Sequence, residues 1–493
     1  MKSDERSRMQ GSRQFFLSVI TILLFAGFCF GQPAVSLSPK DGPPTTTLRV
    51  SGSGFTPYAQ IDIYFDSQDQ ALAVADAAGA FSQIAIQAPK SAVPGNHWIT
   101  AAERSRGRVK QEIFEVHVNW TEFLTKDMHR ENPYENVLSV DNVASLHRKG
   151  SYKAGGAVYS SPAVVNGVVY FGSYDNNVYA VDAHTGTELW SYPTGGWVQS
   201  SPAVANGVIY VGSFDGNVYA LDARTGALLW SYQTGYYVTS SPAVANGVVY
   251  VGSFDENVYA LNANTGALLW SYFTGDWVLS SPAVANGVVY VGSYVGNVYA
   301  LEARTGTPLW NYPTGDHVQS SFAVANGVVY IGSNDGQLYA LNANTGVLLW
   351  SYSTGYFVGS SPTVANGVVY VGSGDSNVYA LDARAGTRLW SYQTGYYVTS
   401  SPAIANGLVY IGSCDNNVYV LDARTGTKLW AYATGDWVQS SPAVANGVVY
   451  VGSFDGRVYA FSLPKGLAPQ PPKRPDPKTL RPDFNLKSVS NTD

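Results

Sequence analysis

Cysteine is almost missing from this chain. Cys29 and Cys414 are the only two in 493 residues. Cys29 sits in an N-terminal apolar run that reads as an export signal, so the mature chain keeps one thiol and no intramolecular disulfide is available to it. Charge is scarce as well: 13% of residues are Asp, Glu, Lys or Arg, and the net charge is −6. That small negative balance, with no basic stripe, excludes nucleic-acid binding. Neither a Gly-x-Ser-x-Gly elbow nor a His-Glu-x-x-His pair occurs, which removes the corresponding hydrolase and zinc-protease classes. Helical periodicity is lacking in the repeated part of the chain, where short β-type runs are separated by turn residues.

What is present is a repeat. From Tyr159 to Ser462 the text recurs at one fixed spacing, the step from Ser160 to Ser200. Ser-Ser-Pro starts at Ser160, Ser200, Ser240, Ser280, Ser360, Ser400 and Ser440, and Ser-Ser-Phe at Ser320, giving eight copies. A fixed period of this length denotes a solenoid, propeller or array. Each unit reads as four strands: Val198 to Ala205, Val208 to Ser213, Val218 to Asp222 and Ala227 to Tyr232. Asn206-Gly207 suits a type I′ hairpin turn, and Asp215-Gly216 and Thr225-Gly226 supply the other turns. Four strands in a repeat of this length make a propeller blade. Proline in seven of the eight first strands fits an edge strand beside a central channel.

Eight inner-strand copies face only seven Leu-Trp pairs, ending at Trp190, Trp230, Trp270, Trp310, Trp350, Trp390 and Trp430. The last copy stops near Ser462, so its outer strand must come from upstream. Residues 146–152 have that register, with Gly150 in the tryptophan slot. The expectation is an all-β chain whose closed eight-bladed β-propeller (146–463) hides its sheet edges.

The string Tyr219 to Trp230, Tyr-Ala-Leu-Asp-Ala-x-Thr-Gly-x-x-Leu-Trp, resembles the PQQ-type (pyrrolo-quinoline quinone) propeller repeat. Asn132 to Ser139 and Asn142 to Leu146 resemble the segment that precedes such propellers. The resemblance implies that each outer-strand Trp packs on the neighbouring blade. It also implies a choice of functions, because the family includes alcohol and sugar dehydrogenases, outer-membrane assembly scaffolds and sensor domains. The dehydrogenases imply PQQ as cofactor, an Asp base, calcium ligands from Glu and Asn, and often a vicinal disulfide. None of these can be placed on this sequence, and PQQ rests on the resemblance alone.

Outside the repeat, residues 1–31 read as a signal peptide, with Lys2, Arg6, Arg8 and Arg13 before the run Phe15 to Phe30. That run is shorter than the ~20 residues of a spanning helix. Residues 33–118, with alternating runs such as Ile61 to Phe65, read as a β-sandwich of about seven strands; Ser51 to Phe55, Asp76 to Gly79 and Pro94-Gly95 resemble bacterial Ig-like modules. Residues 119–145 read as linker and lead-in. The segment 464–493 has seven prolines by Pro482 and reads as a disordered tail.

Function is sought in what differs between copies. The turns leading into each inner strand, at the channel mouth, carry Gly156-Ala157, Gly196-Trp197, Tyr236-Tyr237, Asp276-Trp277, Asp316-His317, Tyr356-Phe357, Tyr396-Tyr397 and Asp436-Trp437. Such a ring of aromatics with three carboxylates binds a ligand or peptide on one reading, and packs between inner strands on the other. Two turns recur four copies further on, Tyr236-Tyr237 as Tyr396-Tyr397 and Asp276-Trp277 as Asp436-Trp437. Either a four-blade block was duplicated or the surface suits a symmetric partner. The turns after the second strands carry Asp175, Asp215, Asp255, Asp335, Asp375, Asp415 and Asp455, expected to cap their own hairpins rather than cage calcium, which needs six to eight oxygens. His317 has no second His or Cys beside it, so no metal site is expected. Eight near-identical blades also argue against the asymmetry of a catalytic centre. The reading is therefore an exported, non-catalytic binding or scaffold protein, periplasmic, cell-surface or extracellular. Its propeller is expected to be monomeric and its partner a protein, peptide or glycan. A quinoprotein oxidoreductase and an envelope assembly factor are the alternatives.

Overall fold

A computed structural model describes residues 32–105, 107–122 and 130–489. The signal-peptide reading of residues 1–31 lies outside them. Among the described residues no helix is long and apolar enough to cross a membrane. The chain forms two compact units: the N-terminal residues to Val116 together with the segment from Pro471, and His117–Gln470.

The first unit has two sheets. One holds Ala34–Ser38, Thr47–Ser53 and Phe81–Gln87; the other holds Asp41–Gly42, Val109–Val116, Gly95–Glu103, Gln60–Phe65, Gln68–Val74 and Ser488–Val489. Alternating apolar residues from both, among them Val50, Ile63, Ile84 and Phe114, meet in one core. The expected disordered tail is corrected here. Ser488–Val489 pairs in parallel with Leu72 and Ala73, Leu480 is buried, and the Arg474 guanidinium lies 4.8 Å over the Trp98 ring. The edge of Gln68–Val74 offers unpaired backbone, and the chain pairs with it only after the prolines, which cannot donate to a ladder, have ended.

The second unit is a ring of eight sheets with repeating design. In the second repeat the strands are Ala203–Ala205, Val208–Gly212, Asn217–Asp222 and Leu228–Gln233. Asn206 and Gly207 have φ of 52° and 77°, the left-handed pair that a type I′ turn requires. Residues 209–212 and 218–221 of the two middle strands are buried, while the outer strand is largely exposed. Neighbouring sheets cover the middle strands on both faces, so Val, Ile, Tyr and Leu there run on without polar interruption. Six of the sheet-to-sheet interfaces hold a separate apolar cluster, such as Tyr210, Val218 and Trp230 with Val251, Tyr259 and Leu261, and the two interfaces of the last sheet share one.

The inner strand is shorter than the sequence suggests. It has three residues, and Pro202 precedes it instead of lying within it. The Ser-Ser pair explains why. The first serine's Oγ accepts from Gly212 N in its own sheet at 3.0 Å. The second serine's N donates to the next sheet's serine Oγ, Ser201 to Ser241 at 2.9 Å. This second bond recurs all round the ring, and Ser441 N to Ser161 Oγ, also 2.9 Å, completes it. A serine backbone committed to the neighbouring sheet is unavailable to its own ladder.

His147–Lys153 supplies the outer strand of the last sheet, antiparallel to Arg457–Ser462. Gly150 faces Ala460 as Trp190 faces Ala180. Residues 119–145 are more than a linker. Trp120 bridges Val164, Thr121 O accepts from Val204 N, and Glu131–Asn132 pairs with Ile404 and Ala405. These contacts lie at the ends of the inner strands away from the aromatic turns. Arg130 is fully buried there. Its guanidinium donates to the Pro402 and Pro442 carbonyls at 3.2 and 2.7 Å, and burial lowers its pKa to about 9.

Candidate functional site: the channel mouth

The aromatic turns stand beside the turns after the second strands. Phe214 N donates to Trp197 O at 2.9 Å, and equivalent bonds recur round the ring. The rings stack accordingly. Trp197 lies between Tyr174 (4.8 Å, interplanar 4°) and Phe214 (5.5 Å). Tyr237 contacts Phe214 and Phe254, and Trp277 contacts Phe254 at 5.0 Å and Tyr294 at 5.5 Å. His317 stacks on Tyr294 at 4.2 Å. Trp437 reaches Phe454, which touches Tyr159 and Tyr174. An aromatic belt therefore runs from Trp437 to His317. In the remaining sheets Asn334, Gly374 and Cys414 occupy the intercalating position, and Phe357 with Tyr397 forms a separate edge-on pair 5.6 Å apart.

These side chains are neither core nor free. Trp197, Trp277 and Trp437 are 49%, 41% and 44% exposed, so each packs on neighbouring rings and keeps part of its surface open to solvent. Tyr236, Tyr356 and Tyr396 are exposed as well. Tyr236 and Tyr396 stack on their own neighbours, Tyr237 and Tyr397, at 4.1 Å. Asp276, Asp316 and Asp436 accept from the backbone N–H of the following residue at 2.7, 2.7 and 2.8 Å. They thus fix the turn that presents Trp277, His317 and Trp437. The recurrence of two turns gives no two-fold surface in side-chain terms: Tyr237 is flanked by two phenylalanines, whereas Tyr397 adjoins Phe357 and, through its carbonyl, Cys414. Burial raises the Cys414 thiol pKa, which disfavours the reactive thiolate.

Sequence reasoning missed the intercalating position occupied by Tyr174, Phe214, Phe254, Tyr294 and Phe454. It also missed the position that lines the channel: Tyr159, Gln199, Thr239, Leu279, Gln319, Gly359, Thr399 and Gln439. Their signal was available, since both positions vary inside otherwise constant text. The two groups connect: Tyr174 OH donates to Gln199 Oε1 at 3.2 Å, and Gln319 Nε2 donates to Tyr294 OH at 2.5 Å.

The turn aspartates cap their hairpins and also tie two loops together. Asp215 accepts from Asn217 N (2.8 Å), Tyr219 OH (2.7 Å) and Gly195 N (2.6 Å). Burial, with the carboxylate it donates to, raises the Tyr219 pKa above its ordinary range. Val295 breaks the series. There Tyr299 OH donates to Thr274 O at 2.8 Å, and Gly275 turns to φ 92°.

The fold, with its eight-fold serine and tyrosine pattern and its seven outer-strand tryptophans, defines a PQQ-type β-propeller. The chain belongs to the family described as outer membrane protein assembly factor BamB, which it matches over residues 143–241, 237–319 and 295–468. No curated protein sequence matches it. Among solved structures it is similar to BamB from Moraxella catarrhalis, at 21% identity over 64% of this chain and 99% of that one, TM-score 0.58. The computationally designed Ika8 protein gives 21% identity over 63% and 97%, TM-score 0.58. The quinohemoprotein alcohol dehydrogenase from Comamonas testosteroni gives 18% over 72% and 82%, TM-score 0.61. At these identities the likeness is one of fold.

The channel residues do not fit pyrrolo-quinoline quinone. That cofactor is a tricarboxylate, and buried carboxylates need cationic or multiple N–H partners. The channel lining is Ser, Thr, Gln, Tyr, Leu and Gly, without Lys or Arg. No group of three or more His, Cys, Asp or Glu among the described residues could hold a metal ion.

Proposed function

We propose that this protein is an exported, non-catalytic binding or scaffold protein of the bacterial envelope, whose channel-mouth belt holds a protein partner. The observation that carries the reading is the half-exposed aromatic belt from Trp437 to His317, above a channel lined by Ser, Thr, Gln, Tyr, Leu and Gly. Aromatic side chains with two stiff torsions give contact area at low entropy cost, and Trp and Tyr are favoured as interface anchors. Membership of a family described as an outer-membrane assembly factor supports a protein partner and an envelope location. The aspartates at 276, 316 and 436 add polar contacts at the rim, and the N-terminal sandwich acts as a spacer.

The test is site-specific photo-crosslinking in cells from positions 197 and 277, with position 206 at the opposite end of the blades as control. The reading expects one discrete protein adduct from both belt positions, none from 206, and a weaker adduct from position 197 in Trp277→Ala and from position 277 in Trp197→Ala. Adducts of equal yield from position 206, or none from the belt, would overturn it.

A further inference from the structure

Seven of the eight outer strands carry a tryptophan, and all seven dock. In six of them the ring lies against a glycine of the next sheet. A Cβ placed on Gly226, for example, would stand 2.7 Å from the Trp190 ring. The indole N–H donates to a carbonyl of that next sheet: Trp190 to Ala223 O at 3.1 Å, Trp230 to Ala263 O at 2.9 Å, Trp270 to Ala303 O at 3.0 Å. Those same carbonyls also accept from a tyrosine hydroxyl, as Ala223 O does from Tyr170. They therefore carry two donors each.

At the seam the tryptophan is missing and its surroundings are kept. Gly150 occupies the tryptophan register, and Gly186 occupies the docking-glycine position. A Cβ on either would meet nothing within 4 Å. Between them is a cavity of about 140 Å³, walled by Tyr152, Phe171, Val181 and Tyr450. Apolar cavities of about 150 Å³ admit a benzene-sized ring. The acceptor is present too: Ala183 O takes Lys149 Nζ at 3.1 Å, with capacity for a second donor. Lys149, His184 and Thr185, at the mouth of the cavity, are exposed.

We propose that the seam cavity is a binding site for an indole ring, either a free indole or the side chain of a tryptophan. The ring lies between Gly150 and Gly186 and donates its N–H to Ala183 O. The internal copies of the same recognition state what the slot is shaped to receive. This site stands apart from the channel mouth and does not rest on the reading given above for the belt.

The full-length protein is titrated into 5-fluoroindole, and the ¹⁹F line is followed. Saturable binding with one site per chain is expected. Benzothiophene, the same shape without the N–H, should compete about threefold to tenfold more weakly than indole, the worth of one neutral hydrogen bond. Gly150→Trp and Gly150→Leu, which fill the slot from inside, should each abolish the saturable component. Gly150→Leu carries the test alone if the tryptophan variant does not fold. N-Acetyl-tryptophanamide, added as a competitor, separates the sources: displacement assigns a tryptophan side chain, and displacement by indole alone assigns the free compound. No saturable binding by the wild type, or binding unchanged in the Gly150 variants, overturns the proposal.

Discussion

At the scale of single residues, the same amino acid holds two different positions in each repeat, and its surroundings decide its worth. Trp270 is 8% exposed and hydrogen-bonded; Trp277 is 41% exposed and stacked on one face. Removing a docked tryptophan deletes buried area, leaves a cavity and takes one of two donors from its acceptor carbonyl, at about 3–5 kcal/mol. Removing a half-exposed stacked one costs about 1 kcal/mol. Thermal or urea melts of Trp270→Ala and Trp277→Ala should therefore differ several-fold in lost stability. Equal, large losses would show that the belt is packing and would take away its standing as a surface. The sequence singled out both positions, but periodicity alone could not separate them, because a repeated residue repeats whether it supports the fold or the function. Gly150 was legible as an exception to the period. The cavity behind it was not, since an empty slot depends on Phe171, Val181 and Tyr450 staying in place around it.

At the scale of elements, the turns were read correctly and the strand limits less well. Asn-Gly announces its own geometry through positive φ. Pro202 ends the inner strand from one side, and the inter-sheet serine bonds, which no local pattern encodes, take the residues before it. The turn aspartates were legible as caps because Asx geometry is local. Their bonds to the channel-mouth turns, such as Gly195 N to Asp215, were not, because they join separate turns. These bonds have a pH signature. At Asp375, burial pushes the carboxyl pKa up, but hydrogen bonds from Tyr379, Gly355 and Asn377 outweigh it and leave it below its ordinary value. A depressed carboxyl pKa contributes stability that is complete above the unfolded value, about 4, and is lost as pH falls through the folded value. Asp375→Asn removes the charge and keeps one acceptor. Urea midpoints should therefore show the variant less stable than wild type at pH 7, with the gap closing as pH falls below about 4. A gap of constant size down to pH 3 would mean that the carboxylate charge contributes nothing there.

At the scale of the whole molecule, closure was legible by counting, and the path of the C-terminus was not. Eight inner strands against seven tryptophans demand a donated strand, and His147–Lys153 provides it. The tail gave no such count. Its prolines read as disorder, while its attachment rests on Arg474 over Trp98, a 2.6 Å bond from Arg474 Nε to Gln111 Oε1, and a two-residue ladder. The two units therefore respond to different truncations. Deleting residues 471–493 uncovers the edge of Gln68–Val74 and the Trp98 ring, so the N-terminal unit should melt earlier. The propeller transition should stay where it was, because the bonds that close the ring, from Ser161 round to Ser441 and from His147 to Ser462, use none of those residues. Starting the chain at residue 154 does the reverse for the ring: it removes the donated strand and the contacts of Trp120, Thr121 and Glu131–Asn132 with the inner strands, and leaves Arg457–Ser462 with an open edge that invites pairing between molecules. Calorimetry with light scattering checks both truncations. The first should keep the propeller endotherm, and the second should lose it and aggregate. A monomeric second truncation with an unshifted endotherm would mean that the remaining seven complete sheets hold the ring without the strand that closes it.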